Sequence, residues 1–231
     1  MTSTSYLDPP GDELLDHPDA DPALVRLSLQ NIARSNRWFG GWWAVRRGLS
    51  RLLKRVPRGA TLTLLDVGTG NGDLPRRAVS WAAQRGITLI PLAIERHPTA
   101  ATLARDGGIA TILASAGQLP VRARSVDLVL ASQLLHHMGP SSIVEFFREA
   151  ERLARLGVVV ADLRRSALAV AAFWIGARIF RFDDATKADG ITSVRRGFLE
   201  AELKRHFRAA GLVARIERSP GFRLVASWRV S

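Results

Sequence analysis

The sequence contains no cysteine, and its five histidines are scattered along the chain. The lack of cysteine excludes a disulfide framework, a thiolate nucleophile and a cysteine-ligated zinc site. The histidines show none of the spacings that zinc ligands share, so we predict no metal site.

The sequence also lacks a long apolar run and an apolar leader. Residues 167–177 form its longest apolar window, which is too short to span a bilayer. Residues 1–21 have neither the basic nor the apolar segment of a secretory signal. We therefore expect a cytoplasmic protein, and 231 residues suit one large domain.

Positively charged residues outnumber negatively charged ones in this sequence. The chain has 33 Lys and Arg against 21 Asp and Glu, for a net charge of +12. Residues 1–21 hold six of the acids and no base. The bases are mostly dispersed arginines without interleaved aromatic residues, a pattern that favours a solvated basic surface over a nucleic-acid face. We therefore expect no nucleic-acid partner.

Strands and helices alternate through the middle of the chain. Short apolar segments predict strands at 61–67, 87–94, 109–114, 125–132 and 157–163, and periodic segments predict helices at 73–85, 98–106, 141–154 and 198–211. The alternation predicts an α/β fold with a doubly wound, mostly parallel sheet. Because three residues, Ser-Pro-Gly, join the apolar segments on either side of 219–221, we expect a hairpin and one antiparallel C-terminal strand.

Two further segments precede the first strand. Proline and glycine interrupt residues 1–20, which we predict to be an irregular, acidic N-terminus. Residues 21–57 show helical periodicity and predict a helical cap or lid. Residues 58–231 would then form the single main domain.

A glycine-rich turn follows the first predicted strand, in the segment LLDVGTGNGDL at 64–74. Its glycines let a ligand approach the backbone, and the next helix presents free N–H groups there. A dinucleotide site needs glycine where the chain has Asp73, and no Gly-Lys-Ser/Thr follows for a triphosphate. Acids around the turn suit a cationic amine, and Glu95, which follows the second strand, suits a ribose diol. The pattern indicates a nucleoside that carries an ammonium group.

These features resemble the class I S-adenosylmethionine-dependent methyltransferases, most clearly over residues 60–163. Within that family the chain is most similar to the branch of quinone-biosynthesis C-methyltransferases and small-molecule O-methyltransferases. The resemblance implies a Rossmann-like methyltransferase sheet and S-adenosyl-L-methionine as cofactor. It places these residues at the cofactor: Asp66, Gly68, Thr69, Gly70, Gly72, Asp73, Glu95, Arg96, Ser115, Ala116, Ser132 and Leu134. Family members usually carry Asp where this chain has Ser115, which leaves adenine recognition to the Ser115 hydroxyl and the Ala116 backbone.

Two histidines after the fourth predicted strand are candidates for chemistry. His136 and His137 lie where the methyl group should be delivered, and an imidazole that titrates near neutral pH can accept a proton from a hydroxyl. Asp162 ends the neighbouring strand, where it can orient the imidazole. Some natural-product O-methyltransferases that this segment resembles use a His–Asp pair in these two places. The alternative is that the histidines pack under the loop and Asp162 caps a turn.

Two aromatic segments, residues 36–43 and 167–180, are candidates for an acceptor pocket or for core-packing helices. With its flanking arginines, the second segment also suits contact with an anionic membrane surface. We expect a methyltransferase of secondary metabolism that acts on a small, apolar, phenolic or polyketide-like acceptor, at oxygen. The alternatives are C-methylation of a quinone-like lipid, an RNA methyltransferase, and a non-catalytic protein that binds the cofactor.

Overall fold

The computed structural model describes residues 13–117 and 119–230, so most of the predicted acidic N-terminus lies outside the described residues. The strands are β1 (Thr61–Val67), β2 (Thr88–Glu95), β3 (Ala110–Leu113), β4 (Val126–Ser132), β5 (Ala154–Leu163), β6 (Arg215–Ser219) and β7 (Arg223–Arg229). The helices are α1 (Pro22–Trp38), α2 (Gly41–Leu52), α3 (Asp73–Ala83), α4 (Pro98–Asp106), α5 (Pro140–Leu153), α6 (Ala167–Ile179), α7 (Asp184–Arg196) and α8 (Glu200–Ala210). These elements confirm the predicted alternation of strands and helices.

The strands form one sheet in the order β3-β2-β1-β4-β5-β7-β6. β1 to β5 pair in parallel, whereas β7 is antiparallel to both β5 and β6. The fold class is therefore confirmed: a doubly wound, Rossmann-like sheet with one antiparallel C-terminal strand. The chain order reverses between β1 and β4, which is where ligands bind in sheets of this kind.

Helices cover both faces of the sheet. On one face, side chains of α5 and α8 such as Phe147 and Phe207 pack against apolar strand residues that include Trp228. On the other face, α2 and α3 contribute residues such as Leu49 and Trp81 to a second buried cluster. Strand residues are buried on both sides because helices cover both faces, which explains why the strands are continuously apolar.

The two N-terminal helices lie in different places. α2 packs against β5 and β7 as one of the layers that cover the sheet, whereas α1 contacts α2, α3, α4 and α7. Between them, Gly40 has a φ of +85°, and a Cβ there would lie 2.1 Å from the carbonyl oxygen of Pro220. Close packing against the β6–β7 turn therefore holds this junction.

No helix in residues 13–117 and 119–230 is both long and apolar enough to cross a membrane.

Candidate functional site

A cavity of about 540 Å³ lies at the carboxyl ends of the central strands. α1, α6 and α7 supply much of its outer wall. Most of the sequence-predicted site residues line it: Asp66, Gly68, Thr69, Gly70, Asp73, Glu95, Arg96, Ser115, Ala116, Ser132, Leu134, His136 and His137. The structure thus brings together side chains that are up to 71 residues apart in the sequence.

The glycine turn has backbone conformations that other residues rarely adopt. Gly68, Gly70 and Gly72 have φ values of +73°, +59° and +77°. Gly72 does not line the cavity; a Cβ there would lie 2.4 Å from Cδ1 of Ile109. Gly68 and Gly70 therefore present backbone to the cavity, whereas Gly72 permits close packing beneath the start of α3.

Three carboxyl groups surround this turn. Burial raises the pKa of Asp66 to about 8; a hydrogen bond from the Thr69 hydroxyl opposes this shift, and the charges of Asp73 and Glu95 add to it. Oδ1 of Asp66 is buried and has no hydrogen-bond partner among the described residues. Burial also raises the pKa of Asp73, against the opposing effects of Asn36 and Arg77. Because buried carboxylates need a compensating partner, a cationic amine fits this end of the cavity.

Glu95 is buried at the end of β2 and braces the turn. Its Oε2 accepts a hydrogen bond from the Gly70 backbone N–H at 2.8 Å, and its Oε1 accepts one from the His97 N–H at 2.9 Å. Each carboxylate oxygen has a second lone pair that remains available for a ligand hydroxyl. The carboxylate therefore shapes the turn and can still accept from a diol.

The remaining predicted cofactor residues lie along the cavity rim. The Ser115 hydroxyl accepts a hydrogen bond from the Gly117 N–H at 3.3 Å, so it is oriented by its own turn. Ser132 is buried at the end of β4, and Leu134 lies against Gly68. Arg96 instead reaches outward and donates to Oδ1 of Asp16 at 2.5 Å. Arg96 thus lies beside the short 3-10 helix Leu14–Asp16, whose Leu15 also lines the cavity.

His136 and Asp162 form a buried pair. His136 Nδ1 lies 2.7 Å from Asp162 Oδ1, and Asp162 also accepts hydrogen bonds from the backbone N–H groups of Leu135 and Leu163. Burial opposes ionisation of Asp162, but His136 and these hydrogen bonds outweigh it and hold the carboxyl pKa below its usual value. Asp162 does not line the cavity, whereas His136 does. An ionised Asp162 favours the tautomer with the proton on Nδ1 and leaves Nε2 of His136 as an acceptor.

His137 contacts the short 3-10 helix Leu14–Asp16 and the residue before it. Its Nδ1 lies 3.3 Å from Asp16 Oδ1, and its Nε2 lies 3.7 Å from Glu13 Oε2. The interaction with His137 holds the pKa of Asp16 well below its usual value, whereas burial raises the pKa of Glu13. This histidine therefore ties the segment to the cavity rim.

Glu13, His136 and His137 each offer one ligand atom, and these atoms lie within 4.8 Å of one another. Two histidines and a carboxylate are a donor set that transition metals accept. Arg196 Nη1 already lies 3.4 Å from Glu13 Oε1, so a cation is not needed to compensate this carboxylate. The sequence did not indicate this cluster, because Glu13 is more than 120 residues from the histidines.

Comparisons with known proteins agree with this geometry. Residues 65–161, which run from the end of β1 to the end of β5, match the model of a family described as a methyltransferase domain. Residues 65–161 are therefore a methyltransferase domain, and the enzyme uses S-adenosylmethionine as its methyl donor. No curated protein matches the sequence.

Several solved structures share the fold of this methyltransferase. A SAM-dependent methyltransferase from Aquifex aeolicus is 15% identical, with a TM-score of 0.62 over 91% of this chain and 99% of that one. PigF with SAH is 19% identical, with a TM-score of 0.61 over 100% of this chain and 63% of that one. The CurJ carbon methyltransferase is 12% identical, with a TM-score of 0.57 over 81% and 53% of the two chains. At these identities the likeness shows the fold alone.

Aromatic side chains form one wall of the methyltransferase cavity. Phe39, Phe173, Phe182 and Phe222 line it, and the Phe39 and Phe173 rings lie 6.3 Å apart. Of the tryptophans in the two aromatic segments, Trp38 and Trp43 line the cavity. Trp42 instead packs on Trp81 of α3, and Trp174 is exposed on α6. The predicted aromatic segments therefore contribute to the cavity in part.

The methyltransferase also has a partly buried chain of polar side chains that the sequence did not reveal. Arg223 donates to Gln133 Oε1 at 2.8 Å, Gln133 donates to Asn36 Oδ1 at 2.6 Å, and Asn36 donates to Asp73 Oδ1 at 3.2 Å. Burial lowers the pKa of Arg223 to about 10, while Asp162 opposes the shift. The signal for Arg223 was an arginine directly before the apolar residues 224–226 of β7. Asn36 had no such signal, because its partners are Gln133, which follows β4, and Asp73, which begins α3.

Proposed function

We propose that this enzyme methylates a hydroxyl oxygen on a small, apolar acceptor with a phenolic or polyketide-like ring. The observation that carries the proposal is the buried His136–Asp162 pair, which lies beside a cavity with an aromatic wall. Aromatic rings favour a flat, apolar acceptor, and the imidazole offers a proton acceptor at the edge of that surface.

The cofactor site fits the residues present. We propose that Asp66 and Asp73 face the ammonium and that the backbone of Gly68 and Gly70 lies along the ligand. Glu95 would accept from the ribose hydroxyls, with Ser115 and Ala116 along the adenine edge and Ser132 and Leu134 near the sulfonium. Thr69 orients Asp66 through its hydroxyl, Gly72 permits the packing beneath the turn, and Arg96 holds the 3-10 helix Leu14–Asp16 beside the cavity. When bound, the cofactor would supply an electrophilic methyl group to the acceptor oxygen and would leave as S-adenosylhomocysteine.

His136 then takes the hydroxyl proton. With Asp162 bound to Nδ1, Nε2 of His136 accepts the proton as the oxygen lone pair forms its new bond to carbon. The resulting imidazolium is stabilised by the adjacent carboxylate. Orientation of the acceptor by the aromatic wall supplies a further part of the rate acceleration. His137 is a weaker candidate for the base, because it is already engaged with Glu13 and Asp16.

We also propose that residues 58–231 form the methyltransferase domain and that residues 21–57 complete it. Within that segment, α1 reaches the cavity through Asn36 and Trp38, whereas α2 supports the sheet. α1 would thus act as the cap over the acceptor.

Product analysis tests the proposal. Purified enzyme is incubated with carbon-13-methyl S-adenosylmethionine and panels of phenols, hydroxylated polyketide-like rings and quinols. A product labelled as a methoxy group is expected. A methyl group on carbon would support the alternative of C-methylation of a quinone-like lipid. Labelling of RNA alone, or cofactor binding without turnover of any acceptor, would contradict the assignment.

A further inference from the structure

α6 presents an apolar stripe to solvent. Leu168, Ile175 and Ile179 are 68%, 53% and 72% exposed, and their spacing of seven and four residues puts them on one side of the helix. The helix packs inward through Ala169, Gly176 and Ala177, which are buried. α6 is thus apolar on its packed side and also on its solvent-facing side. An exposed apolar side of this kind marks a surface that contacts a partner or a membrane.

Tryptophans and arginines border this stripe. Trp174 is exposed beneath the Arg178 guanidinium, whose Cζ lies 3.8 Å from the ring centroid. Trp38 is also exposed and stacks on Phe180 at 6.2 Å, which places it at the end of α6. We call these five apolar side chains and their neighbouring arginines the α6 surface: Leu168, Trp174, Ile175, Ile179 and Trp38, with Arg34, Arg37, Arg178 and Arg181.

The charge of the α6 surface has one sign. Residues 163–182 contain four arginines and no acid, and residues 22–65 contain nine Lys and Arg and no acid. The first acids after α6 are already engaged: Asp183 accepts hydrogen bonds from Thr186 and Asn31, and Asp184 pairs with Lys187. The patch therefore combines exposed aliphatic and indole groups with a surplus of positive charge.

We propose that the α6 surface docks the enzyme onto membranes that contain anionic lipid. An interfacial helix inserts its apolar residues at the headgroup boundary while arginines contact anionic lipids, and tryptophan favours that boundary. A nucleic acid would satisfy the arginines but leave Leu168, Ile175 and Ile179 without an apolar partner. A second copy placed symmetrically on the same surface would set arginine against arginine.

The cavity and the α6 surface share structural elements. Ala172 and Phe173 of α6 line the cavity, and Trp38 belongs to both the cavity wall and the exposed surface. An apolar acceptor dissolved in a bilayer would thus meet the cavity beside the docking surface. Docking itself requires neither an acceptor nor turnover.

Vesicle binding of the full chain tests the proposal. The purified protein is sedimented with phosphatidylcholine vesicles, with and without about one-third phosphatidylglycerol. Binding is expected only with phosphatidylglycerol, and raising the salt concentration should weaken it. Arg178→Gln with Arg181→Gln should weaken binding about 25-fold, at about fivefold per arginine near an anionic surface. Ile175→Ser with Ile179→Ser should weaken it at least about tenfold through lost apolar burial.

Matched variants away from the α6 surface separate local docking from net charge. Arg122→Gln with Arg208→Gln removes the same charge from two other exposed sites, and Val213→Ser removes another exposed apolar side chain. Both should bind vesicles within about twofold of the parent. Circular dichroism spectra and cofactor affinity should be the same in all four variants as in the parent, which would establish that the variants fold.

Three results would overturn the proposal. The first is no sedimentation with anionic vesicles at low salt. The second is equal loss of binding in the α6 and the matched arginine pairs, which would indicate net charge alone. The third is that Ile175→Ser with Ile179→Ser converts a dimer to a monomer and leaves vesicle binding unaffected. That result would mean that the α6 surface contacts a second copy of the chain.

Discussion

At the scale of single residues, the His136–Asp162 pair leads to the sharpest kinetic prediction. His136→Ala should lower turnover by about 10²–10⁴-fold with cofactor affinity nearly unchanged, because general-base assistance contributes that much. Stopped assays with labelled cofactor measure turnover, and calorimetry measures cofactor affinity. His206→Ala, on α8 outside the cavity, is the matched control; near-parental turnover in His136→Ala would leave proximity as the main source of rate acceleration.

Asp162 should act through His136. Asp162→Asn leaves a similar shape but no charge to hold the imidazole, so turnover should fall. If the two residues act as one unit, the double variant should lose far less than the product of the two single losses. Fully multiplicative losses in a double-mutant cycle would show instead that they contribute separately.

Asp66 gives a pH dependence to cofactor binding. Its folded-state pKa of about 8 means that the carboxyl is largely protonated at neutral pH before a cation arrives. Because an ammonium favours the ionised form, affinity for S-adenosylmethionine should rise with pH towards 8 and level off above it. Calorimetry in two buffers of different ionisation enthalpy should also detect proton release at pH 7. Asp66→Asn should remove both effects, and an affinity independent of pH in the parent would exclude this role.

Glu95 should contribute to affinity more than to folding. Glu95→Gln keeps the size of the side chain but removes the charge that strengthens hydrogen bonds to ribose hydroxyls, so affinity should fall at least about tenfold. Asp127→Asn is the matched control, since Asp127 accepts from Thr63 at the opposite end of β4 from the cavity. Calorimetry measures affinity and thermal unfolding measures folding; equal cofactor affinity in the parent and Glu95→Gln would refute the ribose role.

At the scale of elements, α1 is coupled to the cofactor turn through Asn36. Asn36→Ala leaves partly buried polar groups of Asp73 and Gln133 without this partner, which should cost roughly 1–3 kcal/mol of unfolding free energy. It should also weaken cofactor binding, because Asp73 lies at the start of α3 beside the glycine turn. Chemical denaturation of this variant and of Gln30→Ala, an exposed site on the same helix, measures the difference. A cost for Asn36→Ala no larger than for Gln30→Ala would mean that the polar chain has no energetic role.

Elements with strong local signals could be predicted from sequence, and α4 matches its predicted bounds of 98–106. β5 begins at Ala154, three residues before the predicted strand, because α5 ends at Leu153 and the chain pairs at once with β4. α7 had no strong pattern: its sequence is polar, and Gly190 interrupts it. Asp183 caps the helix through the Thr186 N–H, and the Phe173 ring packs against Gly190. The contact between α6 and α7 cannot be recognised from the sequence of α7 alone.

Site residues also divide into those that a local pattern marks and those that only tertiary contacts bring together. The glycine turn and Glu95 follow a spacing that a single unit of strand, turn and helix imposes, so sequence could predict them. Asn36, Gln133 and Glu13 become functional candidates through contacts made across the fold, and no local pattern marks such residues.

At the scale of the whole molecule, the two packed layers share the same strands and should unfold together. S-adenosylhomocysteine at about 100 times its Kd should stabilise the fold by about 2.7 kcal/mol, which corresponds to a rise in Tm of roughly 5–10 °C for a chain of this size. Calorimetric scans should show one transition with and without ligand. The Glu95→Gln variant should show a smaller rise at the same ligand concentration, and separate transitions would mean that the helical layers melt independently.

The position of β7 has a consequence for how the chain is made. β7 is synthesised after β6 but pairs between β5 and β6, so the edge of β5 stays open until residues 223–229 have left the ribosome. An open edge of apolar strand is a template for intermolecular pairing. Nascent chains arrested before residue 223 should therefore recruit chaperones and aggregate, whereas release of the hairpin closes the sheet in one late step.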